Sequence, residues 1–255
     1  MSHHRVEVRN LHFAYPDGHT AIRSLTFEIL HGESVGVIGA NGAGKSTLLM
    51  LLMGVLFPDG GEILVGDTHL TRKTMTMIRE RLGMVFQDPD DQLFMTTVRD
   101  DVAFGPRNYG LDEQEVDNRV TEALEQVGIP HLSDRAPFKL SGGEKRAAAI
   151  ATVLSMKPDI LIMDEPTASL DPKSRRRLIG LLQSFDHTKI ITSHDLDMVL
   201  ETCQRVIVIK EGTVAADGSA AEILADAGLL DDCGLELPLS MQGCPVCKSA
   251  RSRVV

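Results

Sequence analysis

Positive charge is in short supply in this 255-residue sequence: 26 Lys and Arg stand against 36 Asp and Glu, a formal net charge of −10. Binding nucleic acid without sequence preference means neutralising phosphates, so no nucleic-acid partner is expected. The acidic balance is read as solubility. Long hydrophobic runs are missing too. The longest, Leu48 to Phe57, is about half of the ~20 residues a bilayer-spanning helix requires. A membrane role would therefore need a partner chain. The opening stretch, Met1 to Asn10, is polar, and no signal peptide is expected. Four cysteines are too few for a disulfide framework in a chain of this size, which suits a reducing compartment. There is no internal repeat and no sustained heptad pattern. What remains is an ordinary globular balance, 43% apolar and 24% charged, with length enough for a real core.

The order of segments reads as α/β. Arg5 to Val8, Leu11 to Tyr15 and Ala21 to Ile29 alternate as half-buried antiparallel strands do. Ser34 to Ile38 is instead a continuous apolar run, as in a strand buried on both faces, and an apolar helix follows from about Lys45. Asp112 to Val127 carries Val116, Val120, Ala123, Leu124 and Val127 at helical spacing. A further helix is predicted from about Gly143 to Met156, stopped before Pro158. Residues 88–157 are thus expected to form a helical subdomain inserted in an α/β core. Ile160 to Met163, Lys189 to Thr192 and Arg205 to Ile209 resume that core as parallel strands with crossovers. Glu211-Gly212 is expected to turn a hairpin. Residues 1–239 are read as one domain and 240–255 as a tail.

Gly39-Ala40-Asn41-Gly42-Ala43-Gly44-Lys45-Ser46-Thr47 fits G-x-x-x-x-G-K-[ST]. It falls between a buried strand and a helix, where backbone N–H groups and the helix dipole can cradle phosphate. Lys45 can reach the β and γ phosphates, and the Ser46 hydroxyl can ligate Mg2+. Asp164 ends an apolar strand, where a carboxylate can hold Mg2+. Glu165 follows it, placed to orient the attacking water in phosphoryl transfer. A pair of acids capping the next helix would look the same in isolation. Asn-Lys-x-Asp, the guanine-reading motif, is absent.

Leu140-Ser141-Gly142-Gly143-Glu144-Lys145-Arg146 resembles the signature of the ABC ATPase family, with Glu144 in place of its usual glutamine. Ser141, Gly142 and Gly143 stand at a helix start, a second place where N–H groups attract phosphate. The resemblance covers about residues 5–239 and implies the ABC ATPase fold: a P-loop core with a mixed sheet and flanking helices, an N-terminal antiparallel β subdomain and the inserted helical subdomain. It implies ATP and Mg2+ as ligands and ATP hydrolysis as the activity. It also implies roles for further residues. Tyr15 would stack on adenine, although a core tyrosine in a hairpin reads the same. Gln87 would contact Mg2+ and couple to a membrane subunit. Asp171, in Ser169-Leu170-Asp171, would cross a dimer interface, and His194 would contact the γ-phosphate. The signature of one protomer would close on ATP held by the other, and a homodimer is consistent with the full catalytic set.

Asp88-Pro89-Asp90-Asp91-Gln92-Leu93-Phe94 and Thr97 to Leu111 look like the ATPases of energy-coupling factor transporters, in particular the cobalt and nickel group. That resemblance implies a transmembrane coupling protein and a substrate-capturing membrane protein as partners, with the chain peripheral on the cytoplasmic face. Vitamin importers use similar ATPases, and an exporter ATPase is the further alternative. His3-His4 is read as incidental, Cys244-Pro245-Val246-Cys247 as half of a zinc site at most, and Arg175-Arg176-Arg177 as a solvated helix face.

Overall fold

The computed structural model describes residues 5–243; His3, His4, Cys244 and Cys247 fall outside the described residues. The first strand, β1 (Val6–Ala14), pairs antiparallel with β2 (Thr20–Ile29) and on its other side with β4 (Gly60–Val65). The two segments expected before Tyr15 are one strand, bent by register shifts between Val8 and Ala14. Between β2 and β4 lie β3 (Ser34–Ile38) and helix α1 (Lys45–Leu52). The short β5 (Thr68–His69), α2 (Met75–Arg81) and β6 (Leu82–Val85) follow. Three helices come next: α3 (Val98–Asn108), α4 (Glu113–Gln126) and α5 (Gly142–Leu154). Then β7 (Ile160–Asp164), α6 (Pro172–Gln183), β8 (Thr188–Thr192), α7 (Leu196–Thr202), β9 (Arg205–Lys210) and β10 (Thr213–Ser219) complete the sheet. Two short helices, α8 (Ala220–Ile223) and α9 (Ala227–Asp232), end the regular structure.

The ten strands form one mixed sheet in the order β5-β4-β1-β2-β10-β9-β3-β8-β7-β6. β6, β7, β8, β3 and β9 run parallel. Their residues alternate between two cores, as the two-residue period of a strand demands. Leu161, Met163, Ile191, Val206 and Val208 face α3 to α7, while Ile160, Ile162, Ile190, Ile207 and Ile209 face α1, α2 and the antiparallel strands. Continuous apolar runs are the consequence of burial on both faces. The Glu211-Gly212 turn has positive φ at both residues, 47° and 74°, the geometry of a two-residue hairpin loop.

Side chains start most helices. Thr97, Asp112, Ser141, Asp171 and Asp195 each accept a hydrogen bond from a first-turn N–H. Helix α1 is different: Gly44, at φ 109°, precedes it with no side-chain cap. The N–H groups at its start are left for another partner. Helix α3 contains Pro106, which deprives the Val102 carbonyl of its intrahelical donor. The Ser155 hydroxyl, from the end of α5, donates to that carbonyl at 2.8 Å.

Arg176 and Arg177 of the arginine triplet are exposed, as a solvated helix face would be, and Arg175 is half-buried; all three also have partners. Arg175 forms a two-pronged pair with Asp195 (2.5 and 2.7 Å), Arg176 pairs with Glu201, and Arg177 donates to the Gly128 carbonyl at 2.7 Å. Arg175 and Arg176 both reach α7 and Arg177 reaches the turn after α4, so α6 is tied to two neighbours at once. No helix among the described residues is long and apolar enough to cross a membrane.

Leu49 of α1 is fully buried in the core against the antiparallel strands. Leu49→Ala is expected to lower unfolding stability by about 2–5 kcal/mol. Urea denaturation measures this, and a loss under about 1 kcal/mol would mean that α1 does not pack as described.

Candidate nucleotide site

Open parallel sheets bind ligands beyond the carboxyl ends of their strands. Here those ends are aligned: Val37 pairs with Thr192, Asp164 with Thr192 and Val85 with Met163. Gly39 therefore begins its loop, Gln87 its segment, Glu165 its turn and His194 its turn along one edge. A cavity of about 320 Å³ opens there, lined by Tyr15, Asn41, Gly42, Gly44, Lys45, Ser46 and Thr47 and, opposite, by Gln87, Asp164, Glu165 and His194.

The loop is tightly folded at two of its glycines, which lie against backbone. A Cβ on Gly39 would stand 2.3 Å from the Ile209 carbonyl, and one on Gly44 would stand 2.7 Å from that of Ala21. Ala43 is buried, and its carbonyl accepts from the Gly212 N–H at 3.0 Å. The Lys45 ammonium is largely buried and donates to the carbonyls of Gly39 (2.8 Å) and Ala40 (3.2 Å). Burial pulls its pKa down, opposed by the nearby charges of Glu165 and Asp164.

Asp164 accepts from the Thr192 hydroxyl at 2.5 Å. One oxygen of Glu165 accepts from the His194 N–H at 3.0 Å; the other lies 3.5 Å from its ring Nε2. The same Nε2 is 3.5 Å from Lys45 Nζ. Ammonium, imidazole and carboxylate thus stand in a row. Glu165 has φ 45°, a left-handed conformation uncommon for a residue with a side chain. The Tyr15 hydroxyl is 3.0 Å from Thr47 Oγ1, and its ring stacks beside His19. His19 also lines the cavity; nothing in the sequence marks it, since the hairpin loop alone brings it there.

Two predicted groups lie elsewhere. Ser141 and Gly143 do not line this cavity. Gly142 lines a larger groove of about 810 Å³, which shares Ser46, Gln87 and Asp164 with it. Ser141 and Glu144 form a reciprocal cap: Ser141 donates its N–H and hydroxyl to the carboxylate, each at 2.8 Å, which holds that carboxyl below its ordinary pKa. Gly143 has room only for hydrogen, because a Cβ would sit 2.4 Å from Ser174 Oγ. The Asp171 carboxylate is spent capping α6 and accepting from the Ser174 hydroxyl.

A glycine-rich loop at an uncapped helix start, a buried lysine and paired acids at the end of a neighbouring parallel strand define a P-loop nucleoside triphosphatase. The family model described as ABC transporter matches residues 22–168. An ABC transporter ATP-binding protein of Geobacter sulfurreducens is 64% identical over 97% of the chain and 99% of its own length. The energy-coupling factor transporter ATP-binding protein EcfA of Methanothermobacter thermautotrophicus is 45% identical, over 91% and 76%. Among solved structures, cbiO1 of Clostridium perfringens, part of the ABC transporter complex cbiONQ, superposes with TM-score 0.80 at 41% identity, covering 89% of this chain and 93% of that one. The ATP-binding cassette MJ0796, solved as a dimer with ADP and phosphate, superposes with TM-score 0.76 at 26% identity, over 84% and 98%. The chain belongs to the ABC transporter family: it is an ATP-binding subunit, an ATPase coupled to transport.

Removing a charge-assisted contact to phosphate costs about 1.5–3 kcal/mol. Lys45→Ala is accordingly expected to weaken ATP binding by at least about tenfold. Calorimetry reads the affinity, and an unchanged value would remove Lys45 from the phosphate site.

Proposed function

We propose that this chain powers an importer of the energy-coupling factor class, with cobalt or nickel ions as cargo. The observation that carries the mechanism is the division of the site: Lys45, Gln87, Asp164, Glu165 and His194 share one cavity with the glycine-rich loop, while Ser141 and Gly143 do not line it. A second copy of the chain, its Ser141, Gly142 and Gly143 closing on the nucleotide, completes the arrangement. Asp171, beside that signature helix, lies at the interface. Dimerisation of the MJ0796 cassette supports this reading.

In the proposed cycle Tyr15 stacks on adenine and the N–H groups from Gly39 through Thr47 cradle the phosphates. Lys45 leaves its loop carbonyls for the β and γ phosphates. Glu165 orients the attacking water, with His194 holding that carboxylate through its N–H and meeting the γ-phosphate with its ring. The hydroxyl of Ser46, the carboxylate of Asp164 and the amide of Gln87 are hard oxygen donors on one cavity, a set that fits Mg2+. Bound there, Mg2+ supplies neutralisation of phosphate charge. ATP closes the dimer, and loss of the bridging γ-phosphate opens it.

Coupling needs a membrane partner, since no described helix spans a bilayer. The larger groove beside Gln87 is open and partly apolar, bordered by Met50, Val55 and Phe86, all exposed. It suits a helix of a transmembrane coupling protein, which works with a substrate-capturing membrane protein while this chain stays peripheral on the cytoplasmic face. The likeness to EcfA and to cbiO1 supports the importer class.

Glu165→Gln is expected to keep ATP binding, lose turnover by at least about a hundredfold and accumulate an ATP-dependent dimer in size-exclusion chromatography. Wild-type turnover in this variant would refute the assignment of Glu165. In cells, the same substitution is expected to abolish uptake of labelled cobalt or nickel. Unchanged metal uptake with lost vitamin uptake would transfer the cargo to the vitamin group.

A further inference from the structure

Arg146 is 3% exposed, although it belongs to one of the most water-seeking residue types. It projects from the second turn of α5, five residues after Ser141. Its guanidinium donates to two consecutive carbonyls, Phe86 at 2.7 Å through Nη1 and Gln87 at 2.6 Å through Nη2. Nε finds no partner. Burying a guanidinium that leaves a donor unpaired is costly, and an apolar side chain of similar volume would serve packing better. The fork is also the one side-chain geometry that grips two adjacent carbonyls in a plane.

Two further side chains fasten the same segment to the same helix. Lys145 pairs with Asp90 at 2.6 Å. Gln92 accepts from the Phe86 N–H at 3.1 Å and donates to the Ala149 carbonyl and the Thr152 hydroxyl at 2.8 and 2.7 Å. Residues 86–92 and α5 are therefore one body. Gln87 stands at one end of that body, in its own protomer's cavity. Ser141 stands at the other, outside it.

We infer that Arg146 is a positioning residue that makes the two ATP sites of a dimer answer each other. When Ser141 engages the partner's nucleotide, α5 shifts, and the Arg146 fork carries Gln87 with it into register with its own nucleotide. The inference rests on the shared-site dimer proposed above. It assigns the coupling to a residue that touches no nucleotide.

The test is the ATP dependence of steady-state hydrolysis by the full chain. Wild type is expected to show a Hill coefficient near 2, the limit for two linked sites, and Arg146→Met a value near 1. Binding of a non-hydrolysable ATP analogue to the monomer is expected to change less than about twofold. Arg146→Lys keeps the buried charge and the stem without the fork, so it too is expected to lose cooperativity; it serves if the Met variant fails to fold. A wild-type coefficient near 1, or a folded variant of either kind with the wild-type coefficient, overturns the inference. ATP-dependent dimerisation of Glu165→Gln, with and without Arg146→Met, is measured in parallel. Failure of the Glu165→Gln dimer with Arg146 intact would sink the shared-site reading itself; dimerisation of both leaves only the coupling at stake.

Discussion

Opposed charge in one small space governs this protein. In the proposed site a triphosphate is held beside Asp164 and Glu165, in a chain whose net charge is −10. The net charge is the weaker effect, because exposed charges are screened beyond about 10 Å at 0.1 M salt. What decides is local. Lys45 is held within the cavity, where burial lowers its pKa and the two acids counter that tendency. Helix α1 adds its uncapped start. The absence of a side-chain cap, a defect elsewhere, is here the means of attracting an anion.

The second half of the site is held by strain that neighbours over-determine. Glu165 and Ser169 both have left-handed φ, 45° and 61°, and each such residue costs on the order of 1–3 kcal/mol. The Glu165 N–H donates to the Thr192 carbonyl at 3.0 Å, and its own carbonyl accepts from Ala168 at 3.0 Å. Its carboxylate is held by His194. The turn after β7 is thereby pinned to the end of β8, so the position of the carboxylate is fixed by sheet register rather than by loop flexibility. Preorganisation of this kind is what phosphoryl transfer asks of a protein.

The parts of the fold that were legible in the sequence share a physical reason. β3, β7, β8 and β9 are buried on both faces, so their apolar runs are unbroken, and α4 buries one face, so its period shows. The rest depends on long-range partners. Helix α3 runs through Pro106, and Ser155, distant in sequence, takes the carbonyl that the proline leaves free, a contact no local pattern announces. The partners of the arginine triplet are not legible in the sequence, because each lies on another element. At the site, Gly39 through Thr47, Asp164 and Glu165 were legible because phosphate chemistry fixes local spacing. His19 in the cavity and Arg146 on the Phe86 and Gln87 carbonyls were not, since those contacts exist only after the chain has folded.

The signature end of the molecule carries a conflict of its own. A carboxylate at a helix start is favoured by the dipole, and Glu144 already occupies that position at α5, tied to the N–H and hydroxyl of Ser141. A phosphate arriving there meets a negative charge and a serine already engaged. The N–H groups of Gly142 and Gly143, in the first turn, have no intrahelical carbonyl to serve. Gly143 also lies so close to Ser174 that α5 and α6 are in close contact at this point. In the proposed dimer a phosphate reaching this helix would therefore meet free backbone N–H groups before a free serine side chain. A contact made to the backbone of a helix is well placed to signal along it, and α5 is the helix that carries the Gln87 segment on its side.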